Sequence, residues 1–372
     1  MVAPARYPTL DAADLVSTPI ERSWTIPSRW YTDPAFHALD RDAIFARTWQ
    51  GVGHLAQVRE PGMYFTTTVA DGPVIVLRDK EGVLRAFHNV CRHRGGPLAT
   101  EPTGCVNALT CQYHGWTYLL DGTLRGVPRW DRVDLFDKKD YGLVPIRVET
   151  WQDQVFVNLD ADAAPLARYL DGVAERIAPI RLDRMTFAKR IDYEVACNWK
   201  VYVDNFLEGY HVPYVHPELM KMYDFRKYTT ETFEHYSLQW SPLAPGDAPY
   251  DIKPGDNAYY YCLFPNYMVN IVPGRVQTNL VVPLGHDRCR VEFGFFYEKA
   301  DGPAARKAIE EDLAYSDRVQ REDKEICAFV QRGLGSPSYD RGRFSVEAEG
   351  AVHHFQECVR RAYRSWTPRV EQ

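Results

Sequence analysis

The sequence lacks any run of about eighteen apolar residues of the kind that crosses a bilayer. Residues 1–24 also carry no basic stretch leading into an apolar one. The expectation is a cytoplasmic protein with no membrane partner. A surplus of positive charge is missing too: 44 Lys and Arg against 50 Asp and Glu leave a formal net charge of −6. Polyanions attract basic surfaces, so no nucleic-acid partner is expected. Cysteine is sparse and scattered, eight in 372 residues, which argues against a disulfide scaffold.

What is present is length enough for two domains and many aromatic side chains: 23 Tyr, 17 Phe and 9 Trp. Residues 1–44 read as an N-terminal arm and helix, the apolar spacing of Phe36, Leu39, Ile44 and Phe45 carrying the helix from Pro34 to Thr48. Residues 45–158 read as a small all-β domain. Short runs at 63–69, 73–77, 84–89, 106–110, 144–148 and 154–158 are punctuated by Asp71-Gly72, Gly95-Gly96 and Asp121-Gly122. A linker at 160–164 leads to an amphipathic helix with Leu166, Tyr169, Leu170, Val173 and Ile177 as its stripe. Residues 159–372 mix elements: strands at 186–196, 235–240, 258–263, 267–272, 277–282 and 289–297, with helices at 198–211, 304–333 and 346–365. The expected fold class is α+β, the second domain being an antiparallel sheet gripping a long helix.

The strongest chemical signal is Cys91-Arg-His93 paired with Cys111-Gln-Tyr-His114. Each half offers one thiolate and one imidazole, as a Rieske [2Fe–2S] cluster needs: two Cys on one iron, two His on the other. Replacing two thiolates by neutral imidazoles raises the potential to about −150 to +300 mV, so the cluster accepts electrons readily. Two Cys and two His also suit zinc, but zinc modules keep like ligands together on each half. Gly95, Gly96 and Gly115 let backbone approach the sulfurs. The other six cysteines (Cys105, Cys197, Cys262, Cys289, Cys327, Cys358) read as small hydrophobes.

A second signal is Glu208-Gly-Tyr-His211-Val-Pro-Tyr-Val-His216-Pro. Five steps of about 100° leave the two His roughly 140° apart on a continuous helix, so they converge only if it breaks. Pro213 supplies the break, Gly209 loosens the turn before it, and Pro217 stops a restart. Two His with one carboxylate form the facial triad of non-haem Fe(II) oxygenases, with positions open for O2. The carboxylate expected is Asp323, heading a stripe with Ile326, Cys327 and Val330; Glu322 is the reserve and Glu325 points to solvent. Trp199, Tyr202, Phe206, Tyr210, Trp240, Tyr259, Tyr260, Tyr261 and Tyr267 are candidates for a cation–π cage, against the plainer reading of core packing. His353 and His354 read as structural or surface residues, and His54, His88, His235 and His286 are given no role. Gly51-Val-Gly53-His-Leu-Ala56 fits a dinucleotide fingerprint only on paper, because a strand does not precede it.

With these motifs, nearly the whole chain resembles the α subunits of Rieske non-haem iron oxygenases. The resemblance implies an N-terminal Rieske domain and a C-terminal helix-grip (START-like) catalytic domain. It implies Cys91, His93, Cys111 and His114 on the cluster, and His211, His216 and Asp323 on the mononuclear iron. It further implies a bridging carboxylate, here Glu208, linking His211 to His114 of a neighbouring subunit in a head-to-tail homotrimer; Asp204, one turn earlier, is the reserve. Many ring-hydroxylating members have Asp where this chain has Glu208. That change, with Phe264-Pro-Asn-Tyr-Met268, Thr278 to Gly285, Val319 to Asp323 and Val330 to Leu334, looks like the choline monooxygenase and carnitine oxygenase branch. The implied activity is hydroxylation or N-demethylation of a small quaternary ammonium compound by O2, with electrons from an external NAD(P)H-dependent flavin reductase or a ferredoxin. Hydroxylation or dioxygenation of an aromatic substrate is the alternative. A Rieske electron-transfer protein and a zinc-binding module are the readings from other classes.

Overall fold

The computed structural model describes residues 7–177, 182–221, 225–243, 253 and 255–366. The chain divides into two compact units: residues 45–168, and residues 1–44 together with 169–372.

In the first unit, local turn chemistry builds the sheet. Strands β1 (Gln50–His54), β2 (Met63–Val69), β3 (Gly72–Arg78), β4 (Leu84–His88) and β5 (Thr103–Cys105) are followed by the short β6 (Leu109–Thr110), β7 (Thr117–Tyr118) and β8 (Leu124–Gly126), then β9 (Pro145–Trp151) and β10 (Gln154–Asn158). Val69 pairs with Gly72 across Ala70 and Asp71, whose φ values are 48° and 60°. Trp151 pairs with Gln154 across Gln152 and Asp153, at 46° and 64°. Both are two-residue hairpins with left-handed central residues, the turn whose twist suits antiparallel strands. The strands order as β1-β10-β9-β4-β3-β2-β5, with β6-β7-β8 as a separate small sheet. β3 is buried on both faces: Val74 and Val76 join one apolar cluster, while Ile75 and Leu77 join another that contains Cys91 and Cys111. One strand thus ties the sheet to the cysteine loops.

In the second unit, β11 (Thr186–Val195), β12 (Thr229–Thr232), β13 (Tyr236–Pro242), β14 (Asn257–Leu263), β15 (Tyr267–Val272), β16 (Arg275–Pro283) and β17 (Cys289–Tyr297) form one sheet. Its order is β11-β17-β16-β15-β14-β13-β12, and each neighbouring pair is antiparallel. Four helices matter for the site: α1 (Pro34–Asp40), α2 (Trp199–Phe206), α3 (Pro303–Leu334) and α4 (Gly350–Ser365). α3 opens on Pro303 and stops at Gly335, as helix-end chemistry favours. It lies against the sheet through Asp312 to Arg275 of β16 and Asp317 to Tyr193 of β11. Among the described residues no helix is long and apolar enough to cross a membrane.

The arm packs into this unit through a buried charge. Asp40 at the end of α1 accepts from Trp199 Nε1 at 2.8 Å, from Lys200 Nζ and from the Tyr363 hydroxyl of α4. Lys200 is fully buried, so Asp40 is what makes its charge tolerable. Asp40→Ala is expected to destabilise by about 3–5 kcal/mol, because it strands that ammonium; denaturant unfolding measures it.

Several boundaries differ from expectation. The helix at 34–48 is α-helical only to Asp40 and widens into a π turn over Arg41–Phe45. The run at 106–110 is strand only at its end, β6, with β5 lying wholly before it, and Gln50–His54 is a strand. Gly51 and Gly53 lie inside that strand, so no phosphate-binding loop exists there; a Cβ on Gly53 would meet the Phe65 ring at 2.7 Å, which accounts for the glycine. The stripe from Leu166 to Ile177 is two short helices, Leu166–Tyr169 and Val173–Ile177, separated by Gly172 at φ +80°. The last helix starts at Gly350, not at 346.

Candidate metal centres

The two cysteine loops share one backbone design despite their different His spacing. Cys91 N–H donates to Gly96 O at 2.8 Å and Gly95 N–H to Cys91 O at 3.0 Å. Cys111 N–H donates to Trp116 O and Gly115 N–H to Cys111 O, both at 2.9 Å. Gly95 and Gly115 both have φ +74°, a left-handed conformation that glycine adopts without strain. A Cβ on Gly96 would stand 2.9 Å from Cys111 Sγ, so the second glycine of the pair is a matter of clearance. The loops sort their ligands by depth. Cys91 and Cys111 are 2% exposed, His93 is half-buried and His114 is exposed. The imidazoles meet edge to face with centroids 4.7 Å apart, and His93 stacks on Trp116 at 4.9 Å.

Among the described residues, no three donor atoms of this set fall within 4.8 Å of one another. One tetrahedral zinc, with bonds of about 2.0–2.3 Å, would draw all four closer than that. The order in depth, sulfurs inside and imidazoles outside, suits a two-iron cluster with two Cys on one iron and two His on the other. Burial pushes the Cys91 thiol above its ordinary range, so binding must itself draw off the proton. The Tyr118 hydroxyl lies 3.3 Å from Cys91 Sγ and accepts from Arg92 N–H at 3.0 Å, ready to hydrogen-bond a sulfur.

The second centre closes tightly. One ligand atom each from His211, His216 and Asp323 lies within 4.8 Å of the others, a set sized for one ion. Asp323 Oδ1 stands 3.0 Å from His216 Nε2 and 3.7 Å from His211 Nε2. Each imidazole is gripped from behind by a carboxylate. Glu208 Oε1 is 2.6 Å from His211 Nδ1, and its Oε2 accepts from His211 N–H at 2.8 Å. Glu322 Oε2 is 2.6 Å from His216 Nδ1. A carboxylate on Nδ1 fixes the tautomer and turns Nε2 toward a metal. Glu322, the reserve ligand, stands behind His216 instead. Glu322→Gln is expected to weaken metal binding about 10–100-fold, which iron titration of the apoprotein reads.

The chain path that makes this possible differs from the expected one. α2 stops at Phe206, five residues before His211, and the chain loops before a short turn, Val212–Val215. Pro213 opens that turn, and Pro217 opens the next, Pro217–Met220, where the sequence suggested a stop. Proline in a first turn costs nothing, because its missing N–H had no intrahelical partner. Gly209 is required because a Cβ there would meet the Tyr228 ring at 2.9 Å. The stripe on α3 is also not the expected one. Asp312, Ser316, Gln320 and Cys327 are its buried positions, and Val330 is exposed.

A cavity of about 150 Å3 opens beside His211, His216 and Asp323. From the expected aromatic set, Tyr202, Phe206 and Tyr260 line it. Alternation on β14 sends Tyr259 and Tyr261 away from the side that Tyr260 takes. Trp199 packs at Asp40 and Tyr210 is exposed. Tyr228, Phe293 and Tyr315 were missed. Tyr315, Val319 and Asp323 recur every four residues on α3, a spacing that could have revealed Tyr315. Of the histidines outside the centres, His54 caps a turn at Ala56 N–H, His353 bonds Thr18 O, and His235 stacks on Tyr169.

Asp204 does not line the cavity. It accepts from the Tyr31 hydroxyl at 2.6 Å and Gln356 Nε2 at 3.2 Å, joining the arm to α4. Burial pushes its carboxyl up to about 7, against those hydrogen bonds. A carboxyl raised on folding makes the folded state lose stability as pH rises from about 4 to about 7. Asp204→Asn is therefore expected to gain on the wild type at pH 8 and to give up that gain at pH 5. Thermal midpoints at the two pH values measure it, and a pH-independent difference would refute it.

Two candidate centres, one with the ligand types of a two-iron cluster and one sized for a single ion beside a cavity, are what an iron-dependent oxygenase needs. Residues 48–137 match the Rieske [2Fe-2S] domain and residues 182–365 the ring hydroxylating alpha subunit (catalytic domain). The chain belongs to the Rieske non-haem iron oxygenase α subunits. It is 38% identical over 354 residues to the chloroplastic choline monooxygenase of Arabidopsis thaliana, covering 91% of this chain and 82% of that one. It is 30% identical over 351 residues to the carnitine monooxygenase oxygenase subunit of Acinetobacter baumannii, covering 91% and 94%. Its fold matches the quaternary ammonium Rieske monooxygenase CntA, in complex with L-carnitine, with a TM-score of 0.81, 29% identity, and coverage of 92% and 96%. Both iron groups therefore belong to this enzyme class, and the residues present fit them.

Proposed function

We propose that this oxygenase acts on a small quaternary ammonium compound of the choline, betaine or carnitine kind, as a monooxygenase that hydroxylates or N-demethylates it. The observation that carries this is the cavity wall: Phe206, Tyr228, Tyr260, Phe293 and Tyr315 surround the space beside the triad. Aromatic faces attract a cation whose charge cannot be hydrogen-bonded. The names of the relatives support the same substrate class. When bound, the cluster supplies electrons and the single iron activates O2. Cys91, His93, Cys111 and His114 would hold the first, and His211, His216 and Asp323 the second. Glu208 and Glu322 orient the imidazoles, and the aromatic wall excludes water from the reacting carbon.

The reading includes a homotrimer in which exposed His114 of one copy approaches Glu208 of the next. One related structure is described as revealing inter-subunit electron transfer. Electrons would come from an NAD(P)H-dependent flavin reductase or ferredoxin. The test is O2 uptake coupled to product, with a reductase supplied, over choline, glycine betaine, carnitine and benzoate. Coupled uptake with an ammonium compound is expected; coupling with benzoate alone would overturn the reading. Sedimentation at working concentration checks the trimer.

A further inference from the structure

One wall of the cavity is polar and carries no net charge. Arg275 is nearly buried, and its Nε donates to Asp312 Oδ2 at 3.0 Å, so its charge is compensated. Gln277 is fully engaged: Oε1 accepts from Arg275 and from Ser316 Oγ at 3.3 Å, and Nε2 donates to Asn279 Oδ1 at 2.7 Å. Two other amides lining the cavity are not. Asn270, 9% exposed, has Oδ1 buried without a partner. Gln320, 1% exposed, accepts from the Tyr202 hydroxyl at 2.7 Å and leaves Nε2 without one. A buried amide left unpaired costs folding free energy; at a binding cavity it marks where a ligand's polar group belongs.

The two amides stand on one wall. Asn270 and Gln277 are cross-strand partners, which places their side chains side by side on one face. Gln277 touches Ser316, and Gln320 follows Ser316 by one turn of α3. One amide needs a donor and the other an acceptor. A hydroxyl is both.

We propose that Asn270 and Gln320 form a subsite for a hydroxyl group of the substrate, Asn270 Oδ1 accepting its proton and Gln320 Nε2 donating to its oxygen. The enzyme then selects a hydroxyl-bearing quaternary ammonium over one that ends in an alkyl group or a carboxylate. An alkyl end leaves both amides unpaired. A carboxylate offers Asn270 Oδ1 no proton and finds Arg275 already held by Asp312. The inference rests on the ammonium reading above.

The test is calorimetric binding of choline, ethyltrimethylammonium (choline without its hydroxyl) and glycine betaine to the full-length holoenzyme without O2. The same titrations are run on Asn270→Leu and Gln320→Met, with the cluster absorbance as a check on folding. Wild type is expected to bind choline about 10–100-fold more tightly than ethyltrimethylammonium. Each variant is expected to reduce that ratio to about threefold or less by losing choline affinity, with ethyltrimethylammonium unchanged. Equal wild-type affinities, glycine betaine binding more tightly than choline, or a ratio unmoved in both variants would overturn the subsite and leave the ammonium reading standing. Binding of none of the three would overturn both.

Discussion

Asp323→Ala is expected to abolish turnover, by at least about 10²-fold, exceeding the loss of a supporting carboxylate, while the visible spectrum of the cluster persists. Asp323 Oδ1 is the atom facing both imidazole nitrogens, and it also accepts from Asn205 Nδ2 at 2.7 Å. Without it, only the two imidazoles remain and the carboxylate of the facial triad is gone. Iron analysis should fall to the cluster's two atoms per chain. Cys91 and Cys111 belong to the other compact unit, buried in its own apolar cluster, and the substitution leaves all four cluster ligands in place. Loss of the cluster signal with the single iron retained would mean that the two centres have been assigned the wrong way round. His211→Ala should behave alike.

Glu208→Gln separates binding from communication. The amide keeps the length of the side chain and one acceptor; like Glu322→Gln it is expected to weaken the single iron's binding, so the variant is loaded with excess iron before assay. What goes is the charge that Glu208 places on His211 Nδ1. Steady-state turnover is expected to fall about 10²-fold, with unchanged iron content, unchanged cluster reduction by dithionite and unchanged substrate affinity. In rapid mixing with O2 and substrate, reoxidation of the pre-reduced cluster should slow by the same factor. Full activity would remove Glu208 from the link between centres.

Much of this was legible in the sequence because metal chemistry constrains residue type and spacing together. Cys91/His93 and Cys111/His114 are short-range motifs, and the structure shows the same loop design twice. The separation of His211 from His216 announced a break. Which residue broke the helix was not legible, because proline reads as a stop whether it ends one turn or begins the next. The carboxylates behind the imidazoles were half legible: Glu208 came from resemblance, whereas the place of Glu322 depends on how α3 lies across the sheet. The cavity wall was read least well. Tyr259, Tyr260 and Tyr261 are equivalent as text, and only strand alternation against a particular face separates them. Asn270 and Gln320, more than forty residues apart in the chain, carried no local signal at all.

The strands β1 and β10 pair antiparallel, Gln50 opposite Val157, and they lie near the two ends of the 45–168 unit. Entry to and exit from that unit are therefore neighbours, one strand spacing apart. Because residues 1–44 belong with 169–372, the Rieske unit is an insertion, a cassette spliced into a continuous host. It could be exchanged for another cassette of different reduction potential by cutting at those two adjacent points. Cutting the chain once, just after the cassette, would instead strip the catalytic unit of Asp40 and leave Lys200 without its counter-ion.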